Sequence, residues 1–167
     1  MQSPLPHGKP DAPAKRSSLD SQALLAEARR LQHAARAGAP QPLMRGKKLG
    51  LLCGAGDADE ALLFRHAANE LGAHVAHIRS AFTADSTATE VRDTARMLGR
   101  LYDAVECQGL PPSQVQQLAS AAGIPIYDGL ASQAHASAEL AVMLDGDEPP
   151  AEKRRRVLQA VLLATVV

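Results

Sequence analysis

From Lys48 to Leu144 the chain repeats one rhythm: a short apolar run, then a segment long enough for a helix. Four runs fit strands, at Lys48–Cys53, His74–Arg79, Ala104–Cys107 and Pro125–Tyr127. Helices are expected between and after them, at about Ala58–Leu71, Thr89–Leu101, Ser113–Ala122 and His135–Leu144. Antiparallel strands can be joined by a tight turn, whereas connections of helix length belong to parallel neighbours. Such crossovers are right-handed and cover a sheet on both faces. The expected fold is therefore α/β, a four-stranded parallel sheet with helices on both faces. Gly72, Gly123 and Gly129 fall where helices or turns should end.

The flanks read differently. Residues 1–17 carry Pro4, Pro6, Pro10 and Pro13 among scattered basic residues, a composition that cannot bury a core and reads as a disordered tail. A helix is expected from Ser18 to Arg36, with Leu24, Leu25, Ala28, Leu31 and Ala35 at helical spacing and Gly38 and Pro40 to stop it. A last helix, Pro150 to about Val166, opens on Lys153-Arg154-Arg155-Arg156 and continues with Val157, Leu158, Val161, Leu162 and Thr165 on one stripe. The stripe should dock the helix on the domain, leaving a solvated cationic first turn. The division is then a tail at 1–17, an α/β domain at 18–145 and a docked helix at 146–167.

Composition excludes several functions. The 167 residues carry zero formal net charge, so no global field draws the chain to nucleic acid or an anionic membrane. Aromatics are 2% with no Trp, too few for base-stacking platforms. The start has no signal-peptide core, and the apolar end is too interrupted to span a bilayer; a cytoplasmic location is expected. Cys53 and Cys107 lack metal-site spacing and read as small core residues, a redox pair remaining open if their strands are neighbours. His74 and His77 fall on opposite faces of one strand and cannot share a metal. Neither a metal nor a cofactor is expected.

The turn after the first strand carries the sharpest signal. In α/β proteins this turn offers backbone N–H groups and a helix dipole to an anion, yet here it reads Asp57-Ala58-Asp59-Glu60-Ala61. Three acids and no cation suit a helix cap: Asp57 as N-cap, with Asp59 and Glu60 in the first turn opposing the dipole. A divalent cation would want more oxygens than this spacing supplies. Gly54-Ala55-Gly56 lacks the third glycine of a dinucleotide fingerprint, and the second strand closes on His77-Ile78-Arg79 without the required acid.

Several phrases, in order and with spacing kept, carry a resemblance. They are Arg45-Gly46-Lys47-Lys48-Leu49-Gly50; Phe64 with Glu70-Leu71-Gly72-Ala73-His74; Asp93-Thr94-Ala95-Arg96-Met97-Leu98-Gly99-Arg100 leading to Tyr102-Asp103-Ala104; and Ile124-Pro125-Ile126-Tyr127-Asp128-Gly129-Leu130 followed by His135. From about Leu43 to Asp145 the chain resembles the carbamoyl-phosphate-binding domain of the ornithine and aspartate carbamoyltransferases. Nothing in it resembles the family's second half, which binds the amino-acid acceptor.

The resemblance implies where the family's chemistry would fall. The phosphate loop, Ser-Thr-Arg-Thr-Arg in the family, corresponds to Asp57, Ala58, Asp59, Glu60 and Ala61, counting back from Phe64. The arginine ending the family's third strand corresponds to Gln108, and His-Pro-Cys-Gln to His135-Ala136-Ser137-Ala138, where only His135 is kept. All three arginines are replaced. The implied function is a non-catalytic relative acting through oligomerisation or partner binding, with a homotrimer or a carbamoyltransferase-related enzyme as partner. Two alternatives stand beside it: a carbamoyltransferase whose acceptor-binding half comes from another chain, and a sensor for a cationic or neutral metabolite.

Overall fold

The structure, a computed structural model, describes residues 20–54, 58–79, 82–83 and 85–167. The tail expected at 1–17 and the cap expected at Asp57 lie outside the described residues. Ten elements follow in order: α1 (Ser21–Arg36), β1 (Lys48–Cys53), α2 (Ala58–Glu70), β2 (His74–Arg79), α3 (Ala88–Leu101), β3 (Ala104–Gln108), α4 (Pro112–Ala122), β4 (Ile126–Asp128), α5 (Ala136–Val142) and α6 (Pro150–Val166). The four strands form one all-parallel sheet in the order β2-β1-β3-β4.

Side chains alternate across a strand, so each strand feeds two cores. Leu49, Leu51 and Ala104 face a cluster built with α1, α2, α5 and α6. Leu52, Val105 and Cys107 face the opposite way, into α3 and α4. Gly99 lets α3 and α4 approach: a Cβ there would lie 2.0 Å from the Ala122 carbonyl oxygen. α3 starts on a full capping box, Thr87 Oγ1 accepting from the Glu90 N–H while Glu90 Oε2 accepts from the Thr87 N–H.

Boundaries differ from expectation by a residue or two, for identifiable reasons. Pro125 enters the ladder only through its carbonyl, which accepts from the Val105 N–H at 3.0 Å. Having no N–H to give, it leaves β4 to run from Ile126 to Asp128 rather than from Pro125 to Tyr127. β3 extends to Gln108, which pairs with Cys53 and whose carbonyl accepts from the Gly54 N–H. α5 is shorter than expected because His135 caps it and Met143 ends it.

One open alternative is excluded and one expectation is corrected. Cys53 and Cys107 do lie on neighbouring strands, but Cys107 pairs with Leu52 while Cys53 pairs with Gln108. Their side chains therefore point to opposite faces and cannot reach each other; both are free. The cationic start of α6 is not a solvated turn. Arg154 is only 4% exposed, and Arg155 and Arg156 pair with Glu70 of α2, with Glu152, and, for Arg156, with Glu148. These bonds fasten α6 across α2, and the helix also packs on α1 and α5. Among the described residues no helix is long and apolar enough to cross a membrane.

Candidate functional site

Strand order sets where a site can form. β1 leads out to β2 on one side, and the chain then crosses back to β3 on the other, so the connections diverge above the C-terminal ends of β1 and β3. Open parallel sheets bind ligands in such crevices. Gly54, just past β1, has no room for a side chain, since a Cβ would lie 2.8 Å from the Gly109 carbonyl oxygen.

Three segments reach this edge with the residues singled out in the sequence. α2 begins there with Asp59 and Glu60 in its first turn and Ala58 exposed before them, while Ala61 is half-buried against the core. β3 ends there on Gln108, which is buried; its Oε1 accepts from Cys53 Sγ at 3.8 Å, and its Nε2 has no hydrogen-bond partner among the described residues. α5 begins there with His135 as N-cap, Nδ1 accepting from the Ser137 N–H at 3.1 Å and lying 2.8 Å from Ser137 Oγ. Burial, then the charge of Arg154, lowers the His135 pKa. A neutral imidazole that accepts at Nδ1 is a capping group. Ala138 follows within the helix.

Two residues not singled out in the sequence dominate the electrostatics. Glu106, in the middle of β3, has zero exposure, and among the described residues neither carboxyl oxygen has a hydrogen-bond partner. Burial pushes its pKa up to about 8, with Asp128 and Glu60 adding repulsion; the Leu130 N–H and the Gln108 side chain act against the rise. Burial therefore favours the neutral carboxylic acid over the carboxylate at this place. Arg154 is the second. Its Nη2 donates to the Leu130 carbonyl at 3.0 Å and to the Ser132 carbonyl at 2.5 Å, while Nε and Nη1 are buried and have no hydrogen-bond partner among the described residues. Burial lowers its pKa, and the charges of Glu60 and Glu106 restore part of that.

One signal in the sequence does point to Arg154. Positions 154, 157, 158 and 161 share a helical face, so an arginine there belongs to the buried stripe and not to the cationic rim.

Beside this edge lies a cleft of about 580 Å³ between α2, α5 and α6, lined by Asp59 and Leu63, by Ala138 and Val142, and by Lys153 and Arg154. Asp59 and Ala138 are thus brought together, with Arg154 beneath them, while Gln108 sits behind on the sheet. Chemically the α2 side is acidic and the α6 side cationic. Among the described residues no cluster of side chains is arranged to hold a metal ion.

Comparison with known proteins places this geometry. The family profile described as "Aspartate/ornithine carbamoyltransferase, carbamoyl-P binding domain" matches residues 14–145. An ornithine carbamoyltransferase of Cutibacterium acnes is 35% identical over 111 residues, 66% of this chain and 33% of that protein. One from Actinobacillus pleuropneumoniae is 35% identical over 130 residues, 76% of this chain and 39% of the relative. Among solved structures, ornithine carbamoyltransferase from Pyrococcus furiosus superposes with a TM-score of 0.65 at 25% identity, over 74% of this chain and 40% of that one. The catalytic subunit of M. jannaschii aspartate transcarbamoylase shares the fold, with a TM-score of 0.63 at 22% identity over 77% and 42%. The chain thus spans between a third and somewhat over two-fifths of the length of these relatives.

Proposed function

Since the chain belongs to the aspartate/ornithine carbamoyltransferase family through its carbamoyl-phosphate-binding domain, we propose that it keeps this fold without the phosphate chemistry and acts by assembly or partner binding. The observation that carries the reading is the charge of the sheet edge. Asp59 and Glu60 open α2, and Gln108 ends β3, at the places where the family resemblance puts arginines and a phosphate-loop hydroxyl.

A phosphate dianion drawn into a crevice needs charge-assisted, preferably bidentate donors, worth about 1.5–3 kcal/mol each. Three such donors are replaced here. Carboxylates at the same place add repulsion that costs a few kcal/mol at short range. Both effects act on the bound substrate and on the leaving phosphate. His135, the one carbamoyl-site residue kept, is engaged as a helix cap.

Titration calorimetry with carbamoyl phosphate tests the reading, and no saturable heat is expected. Tight uptake, or citrulline formation from ornithine alone or with a candidate partner chain, would replace it with the transferase reading. In the same preparation a trimer is the expected mass by light scattering, and a monomer at micromolar concentration would remove the assembly half of the proposal.

A further inference from the structure

A groove of about 380 Å³ lies between the start of α1 and the end of α6, at the other end of α6 from the cleft beside the sheet edge. Leu24 and Ala160 are its buried residues, while Leu43 and Leu163 are half-buried and Ala164 is exposed. Val167, which also lines it, is 74% exposed. These apolar side chains would gain by being covered.

The chain enters α1 at the mouth of this groove. Asp20 lines it and is the N-cap of α1, its Oδ1 accepting from the Gln22 N–H at 3.0 Å. Counted from that cap, Leu24 is the fourth helical residue, and the residue just before the cap is Leu19. Apolar side chains at those two positions pack together across a helix start as a hydrophobic staple, which fixes the angle at which the chain arrives. The charges match as well. Glu27 on the groove wall is paired with Arg30, which leaves Asp20 as the uncompensated charge of the groove among the described residues. The nearest ionisable residues upstream are Lys15 and Arg16. The family match begins at residue 14 and so includes this stretch.

We propose that residues 15–19, which lie outside the described residues, fold back over the groove. Leu19 seats its side chain between Leu24 and Leu163, and Lys15 and Arg16 lay their aliphatic stems on the apolar rim with their charged ends toward Asp20. A segment joined to the groove mouth by one peptide bond loses far less freedom on docking than a separate partner would. The groove is then closed by the protein's own chain, and a partner must use another face.

Isotope-edited NMR on the full chain is the direct test, with cross-peaks expected from the Leu19 methyls to those of Leu24 and Leu163. Trypsin cleavage after Lys15 and Arg16, read by mass spectrometry, should quicken about tenfold or more in Leu19→Ser, which removes the apolar anchor. Ala164→Arg acts from the groove side. Position 164 is exposed and arginine suits a helix, so the chain still folds while bulk and like charge displace the segment. The same loss of protection is expected there, with circular dichroism confirming that both variants fold. Absence of the Leu19 cross-peaks overturns the proposal, as does cleavage left unchanged in both variants. Groove shifts that grow with protein concentration would give the groove to a second copy and overturn it equally. None of these outcomes bears on carbamoyl phosphate binding, which the calorimetry above reads separately.

Discussion

Glu106 ties this protein's stability to pH. Its pKa is raised from 4.5 to about 8 in the folded chain, so between those values the native state holds a proton that the unfolded state has released. Its contribution is therefore fully present below pH 4.5, declines as pH rises by up to about 1.4 kcal/mol per unit, and levels off above about pH 8. His135 has the opposite sign: its lowered pKa makes stability rise with pH just below its ordinary value of 6.5. Glu106→Gln keeps the shape and removes the titration. Urea unfolding at pH 5, 6, 7 and 8 should show the wild type losing stability relative to Glu106→Gln, and parallel curves would mean that the acid is ionised in place. At this scale the site was half legible. Asp59, Glu60, Gln108, His135 and Ala138 could be located from spacing and resemblance. Arg154 was hidden because a run of four basic residues reads as solvated surface when only charge is counted. Glu106 was hidden because a strand of five buried positions offers no alternation to expose a misfit.

The elements were the most readable level, since each apolar run and each amphipathic stretch carries its own period. Their ends were less so, because they depend on tertiary hydrogen bonds such as that from the Val105 N–H to the Pro125 carbonyl. Gly99 makes the point from the other side. In the sequence it is only a poor helix former inside α3, and nothing local explains it; the approach of α4 does. Gly99→Ala should therefore destabilise, by about 2 kcal/mol or more, as overpacking against backbone does. A melting temperature at or above wild type would show that α3 and α4 can separate at no cost.

For the molecule as a whole, the parallel topology followed from connection length alone, and the strand order then fixed where a crevice could open. What the sequence pattern could not give was how far α6 enters the main core. Val157, Leu158, Ala160 and Leu162 are all at 1% exposure or less, in the same cluster as Phe64 and Leu51. Each fully buried Leu or Val is worth about 1.5–3 kcal/mol, comparable in sum with the net stability of a domain. Removing residues from Ala151 onward should leave an aggregating or unfolded chain by circular dichroism and gel filtration; a soluble product with unchanged melting would make α6 an accessory.

The carbonyl oxygen of Leu130 accepts from Ser137 Oγ of α5 and from Arg154 Nη2 of α6. A carbonyl has two lone pairs, so this oxygen is saturated by the fold itself. Neither solvent nor a guest arriving at the crevice finds a free lone pair at that oxygen.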